Sequence, residues 1–262
     1  MAEGAAADEF FSRGWRLFAH DQAIARWVEA ALPLARATLA DPQFSRWWRC
    51  DGTWFAGVNA LANNDHGAVP GGPPLAGAAI KFIRTRLAPS GLAWDRAQIS
   101  ACFPGYPRHG AEESEAAFRY RRDRDAAHVD GLARSAGRRR HVSEPHAFIL
   151  GLPLTDCGAS PLVVWEGSHV VMAEALRAAL TSHAPADWSG CDVTEAYVAA
   201  RERVFATCKR VAIKARPGEA YVVHRLALHG VSPWQEGIAA GADGRMIAYF
   251  RPPLSSVVDW LA

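Results

Sequence analysis

Between residues 21 and 40, in DQAIARWVEAALPLARATLA, apolar side chains recur at helical spacing: Ile24, Trp27, Val28, Ala31 and Leu32 form one stripe. Asp21 stands where an N-cap belongs, and Pro33 is expected to kink or divide the helix. A loop rich in Gly and Pro at 68–77 precedes a second helical stretch, AGAAIKFIRTRLA, at 76–88. From residue 97 the period changes. AQISACF (97–103) alternates, and HAFILGLPL (146–154) is a short apolar run of buried-strand type. SPLVVWEGS (160–168), KRVAIKARPGEAYVV (209–223) and GRMIAYFRPP (244–253) are β-branched and bounded by turn residues. One helix intervenes near 192–207, with Asp192 or Thr194 to cap it, and the charge-dense 108–125 reads as a solvated loop or edge strand. Helices first and many short strands after them predict a mainly β barrel or sandwich with flanking helices. The expected organisation is a single domain over 1–262, in which a mostly helical part at 1–95 packs on a β core at 96–253.

Composition narrows the function classes. Half of the 262 residues are hydrophobic, enough for a sizeable core, and 29 basic against 27 acidic residues leave a net charge of +2. That balance argues against a nucleic-acid binder. No run approaches the ~20 apolar residues that cross a bilayer, and the N-terminus lacks a signal-peptide layout. Five scattered cysteines (50, 102, 157, 191 and 208) without a C-x-x-C read as reduced thiols of a cytoplasmic protein and not as a zinc site. Ten tryptophans are unusual; Trp47, Trp48 and Trp54 cluster, and either pack the core or wall a ligand pocket. Arg138, Arg139 and Arg140 read as a solvated basic loop, or as a contact for an anionic substrate.

The chemistry-bearing residues begin in DAAHVDGLA (125–133). His128 and Asp130 are two apart, so on an extended strand they point to one face and can grip one metal ion together. Gly131 permits a sharp turn after them. The pair alone is a weak signal. It gains from His229, 99 residues beyond Asp130, and from Arg245, 16 beyond His229 on another strand. Two histidines and one carboxylate leave three iron positions open, as in non-haem Fe(II) oxygenases. A planar arginine fork suits the far carboxylate of a 2-oxo acid. Two choices stay open at this level. His224 and His229 are five apart, which on one straight strand turns them to opposite faces, but a turn between them voids that argument. Arg251 lies six beyond Arg245, on the same face of a straight strand.

Taken in order, HVDG, GASPLVVWEGSH, LHGVSPW and GRMIAYF resemble the phytanoyl-CoA dioxygenase-like branch of the 2-oxoglutarate- and Fe(II)-dependent oxygenases, over about residues 120–252. The resemblance implies a jelly-roll, cupin-like double-stranded β-helix. It implies His128, Asp130 and His229 as catalytic metal ligands, preferring His229 to His224, and Arg245 rather than Arg251 as the 2-oxoglutarate-binding residue. It further implies Fe(II), 2-oxoglutarate and O2 as cofactors, and hydroxylation of a small-molecule substrate with release of succinate and CO2. Two positions depart from the family pattern: its PGSH reads EGSH here (Glu166 to His169), and the small polar residue that follows HG is displaced to Ser232. His169 reads as a turn residue, and His141 and His146 as residues near the pocket mouth. The competing expectations are a cupin-like metalloenzyme without 2-oxoglutarate and a non-catalytic jelly-roll binding protein.

Overall fold

The computed structural model describes residues 9–88 and 90–262, without the side chains of Arg134 and Ala136. Two antiparallel sheets face each other. The larger runs, edge to edge, through β1 (Trp15–Phe18), β10 (Ala220–His224), β7 (Phe148–Pro153), β12 (Arg245–Phe250), β4 (Gln98–Cys102), β3 (Trp54–Gly57) and β2 (Trp48–Arg49). The smaller runs β11 (His229–Val231), β8 (Leu162–Trp165), β9 (Arg210–Ile213). A hairpin of β5 (Leu132–Arg134) and β6 (Arg140–Val142) stands apart from both.

Alternation along the strands sorts side chains into an outer and an inner set. On β12, Met246, Ala248 and Phe250 join Ile24, Trp27 and Val28 of the helix Gln22–Ala40 in the largest apolar cluster, outside the larger sheet. Ile247 and Tyr249 point the other way and meet Val164 and Ile213 of the smaller sheet between the two layers. Outside the smaller sheet, Val163 and Trp165 pack on Met172 and Leu176 of helix Ser168–Leu180 and on Tyr197 and Val204 of helix Thr194–Thr207. The inter-sheet space is therefore where an enclosed site can form.

Several local expectations change. Helix Gln22–Ala40 continues through Pro33 as one element, because the proline is exposed while the stripe from Ile24 to Ala35 is anchored by burial. Asp21 caps it through Ala23 N–H (2.8 Å) and also accepts from Ala78 N–H (2.8 Å), at the start of the short helix Ala78–Phe82. The residues at 83–87 widen into a π-turn. The segment expected as loop or edge strand contains helix Glu115–Asp123, capped by Ser114 and burying no residue. Helix Ser168–Leu180 was not anticipated. Three strands, β1, β2 and β3, come from the N-terminal part and extend the larger sheet at both edges. Trp47 and Trp48 pack against the outer cluster, and Trp54 donates to Ser100 Oγ (3.2 Å). None of the three lines the cavity described next. The five cysteines are unpaired. Among the described residues no helix is long and apolar enough to cross a membrane.

Candidate metal centre

Strand register determines where His229 points. It pairs with Val164, a residue of the inter-sheet core, and paired residues share a face, so His229 looks into the interior. His128 forms an isolated antiparallel bridge with His229, which puts its ring on the same side. Asp130 follows two residues later. Gly131, at φ 89°, turns the chain away, and a Cβ there would press on Glu144 O at 3.0 Å. The loop before His128 is pinned by Asp125, a buried carboxylate held by two hydrogen bonds from Arg210 (2.8 and 2.6 Å).

The three side chains converge. His128 Nε2 lies 3.2 Å from Asp130 Oδ1, His229 Nε2 lies 3.9 Å from Asp130 Oδ2, and ligand atoms of all three fall within 4.8 Å of one another. Both histidines are oriented alike. His128 Nδ1 contacts Ala126 O at 2.9 Å and His229 Nδ1 contacts Ala227 O at 3.0 Å, each the carbonyl two residues earlier. A carbonyl only accepts, so each Nδ1 carries the proton and each Nε2 presents a lone pair to the centre. Burial, then the neighbouring His128, push His229 down to about 4, against the pull of Asp130, so it is neutral at pH 7. Burial alone would raise Asp130, but the Arg251 guanidinium, with the rings of His128 and His229 close by, outweighs it and holds the carboxyl well below its ordinary range. Two imidazoles and an ionised carboxylate form a donor set for a divalent cation. A cavity of about 350 Å³ opens beside His128 and Asp130, lined also by Arg140, Glu144, His146 and Arg251.

Arg245 opens β12 on its inner face and Arg251 lies one residue beyond the end of β12, and they have different partners. Arg251 Nη1 is 3.2 Å from Asp130 Oδ2. Arg245 is 2% exposed; its Nη2 donates to Tyr249 Oη (3.0 Å), which also accepts from Tyr221 (2.9 Å), and its Nη1 is buried without a hydrogen-bond partner. His224 pairs with Phe148, which faces the outer cluster, so it points away from the centre and accepts Leu226 N–H at 3.1 Å. His169 opens a helix and meets Phe11 O (2.8 Å); with His224 it borders a separate cavity. His146 lines the cavity beside the triad, whereas His141 contacts Gly190 O (3.2 Å). Arg139 is paired with Asp192 and Glu195, leaving Arg140 as the basic-loop residue at the cavity. Ser232 lies 3.5 Å from Arg210. Sequence reasoning missed the Arg251–Asp130 pair and the Tyr221–Tyr249–Arg245 chain. Alternation on β10 and β12 was the available signal for the latter.

No family model and no curated protein matches the chain. Solved structures do. SnoK, a non-haem α-ketoglutarate-dependent carbocyclase from nogalamycin biosynthesis, is 14% identical over 95% of this chain and 83% of that chain, with a TM-score of 0.51. The fold is shared. EctD from S. alaskensis, solved with 2-oxoglutarate and 5-hydroxyectoine, is also 14% identical, over 97% of this chain and 76% of that chain, with a TM-score of 0.43.

Proposed function

We propose that this protein is a non-haem Fe(II)- and 2-oxoglutarate-dependent dioxygenase on a double-stranded β-helix, hydroxylating a small molecule. What carries the reading is the buried guanidinium of Arg245, whose Nη1 lacks an acceptor, on the inner face of the strand that ends just before the arginine touching the triad. An arginine cannot shed its charge, so burial without an acid favours an anionic ligand. A dicarboxylate that chelates a metal at one end and meets Arg245 at the other answers both features. A cupin-like metalloenzyme that ignores 2-oxo acids has no use for Arg245.

The chain's own residues have separate tasks. His128, Asp130 and His229 would hold the ion. Arg245 and the Tyr249 hydroxyl would bind the far carboxylate, Tyr249 supplying the hydroxyl contact that Ser232, turned toward Arg210, does not. Bound there, Fe(II) with 2-oxoglutarate and O2 supplies the oxidation of a C–H bond, with release of succinate and CO2. The inter-sheet apolar residues, Ile149, Val164 and Ile247 among them, keep water from that chemistry. The cavity of about 350 Å³ lies at the small end of small-molecule sites and is lined by charged and polar groups.

Anaerobic titration of the metal-free protein with Fe(II) and then 2-oxoglutarate tests this. The expected result is the weak visible charge-transfer band of the chelate, abolished by His128→Ala and lost at modest co-substrate concentration in Arg245→Ala. Iron binding without the band supports the cupin-like enzyme, and no iron binding supports a binding protein.

A further inference from the structure

The two oxygens of Asp130 are not equivalent. Oδ1 faces His128 Nε2 at 3.2 Å, while Oδ2, 3.9 Å from His229 Nε2, also meets Arg251 Nη1 at 3.2 Å. The pair is largely removed from solvent, with side-chain exposures of 20% for Arg251 and 12% for Asp130. Arg251 is itself fixed. Its backbone N–H donates to both carboxylate oxygens of Asp95 (2.9 and 3.1 Å). The following residue, Pro252, accepts from Ala147 N–H (2.9 Å), and Leu254 N–H reaches Pro145 O (2.7 Å). The guanidinium thus extends from a backbone anchored on both sides, and its contact is with Asp130.

We infer that Arg251 is a positioning residue of the metal centre: it occupies Oδ2 of Asp130, so that Oδ1 alone is presented to the ion and the carboxylate does not close over a second coordination position. The inference rests on His128, Asp130 and His229 being metal ligands. A carboxylate with both oxygens free can rotate or bind through both. Outer partners that hold a ligating carboxylate typically contribute about 10- to 100-fold in metal affinity. The sequence spacing offered Arg251 as a second anchor for the co-substrate, but its contact with Asp130 gives it a different task.

The test is Co(II) binding to the metal-free protein, followed by calorimetry and visible absorption, in wild type, Arg251→Met, Arg251→Lys and Asp130→Ala. Arg251→Met keeps the aliphatic stem and is expected to bind Co(II) about 10- to 100-fold more weakly, with an altered absorption spectrum. Arg251→Lys restores a cationic donor and is expected to recover part of both. Thermal midpoints of the metal-free variants separate lost binding from lost folding, and rescue by lysine holds where the methionine variant is unstable. Wild-type affinity and spectrum in Arg251→Met, or tighter binding, would overturn the inference alone. Failure of wild type to bind, or undiminished binding in Asp130→Ala, would overturn the metal-centre reading and this inference with it.

Discussion

His128 and His229 are joined by a two-way backbone bridge, each N–H donating to the other's carbonyl at 2.8 and 3.0 Å. The bridge places the ring centroids 4.6 Å apart. With each Nδ1 tied to a carbonyl of its own segment, the separation and tautomer of both rings are set by backbone alone, so the donor set is preorganised.

Gly230 is what lets that bridge form. It sits beside His229 with its α-carbon against the carbonyl of Asp125, and a Cβ built there would collide with that oxygen. Gly230→Ala must therefore push β11 away from the 125–128 segment. The expected cost is about 1–3 kcal/mol, with metal binding lost more completely than stability. Urea unfolding and metal titration of the same preparation check this; wild-type metal affinity in the variant would show that the bridge is dispensable.

Gly151 plays a comparable part for the buried arginine. It pairs with Tyr221 across β7 and β10, and a Cβ on it would enter the Tyr221 ring. Displacing Tyr221 disturbs its 2.9 Å hydrogen bond to Tyr249, and hence the hydroxyl that Arg245 uses. On the proposed function, Gly151→Ala is expected to weaken 2-oxoglutarate binding about tenfold, on the scale of one hydrogen bond, while leaving Fe(II) affinity intact. Equal loss of both ligands would point to general disruption.

Acid should destabilise the protein through His224. Burial, then His169, push it down to about 3. A histidine with a lowered folded value contributes stability above its unfolded value near 6.5, and that stability is lost as pH falls from 6.5 towards 3. Between pH 7.5 and about pH 5 the loss is roughly 1–2 kcal/mol. His224→Gln keeps an acceptor for Leu226 N–H and is expected to flatten this part of the profile, measured by urea unfolding at the two pH values.

Asp95 has the opposite sign. Burial raises its carboxyl to about 6, despite the two bonds from Arg251 N–H. Its stabilising contribution is complete below its unfolded value near 3.8 and is lost as pH rises through 6. Asp95→Asn retains an oxygen for Arg251 N–H and removes the buried charge. It is expected to raise the thermal midpoint at pH 7.5 and to lose that advantage below pH 4. A midpoint lowered at both pH values would show that the ionised carboxylate is required.

The parts of this molecule that could be read from sequence are those where one period governs one strand or helix. HVDG needs only the two-residue repeat of an extended chain to put His128 and Asp130 on one face. GRMIAYF needs only the same repeat to turn Arg245 inward. The choice of His229 over His224 came from resemblance, because the turn at residues 225–227 breaks the strand on which a parity argument depends. Partners across the fold were not legible. Spacing placed Arg251 on the inner face but could not say that it meets Asp130, 121 residues earlier. Helix Glu115–Asp123 escaped detection because it buries nothing, so no apolar stripe marks it. Strands β2 and β3 escaped because each is too short for alternation to show.

The centre is assembled entirely from pairings between distant segments: β8 with β11, and β11 with the residue before Val129. A one-residue slip in either pairing would turn the histidines to the opposite face. The donor set therefore exists only in the correctly registered fold, and a collapsed or misregistered chain should have little affinity for the ion. A metal present at 100 times its Kd would then add about 2.7 kcal/mol to the native state alone. A cation held there would select strand register as well as serve the proposed chemistry.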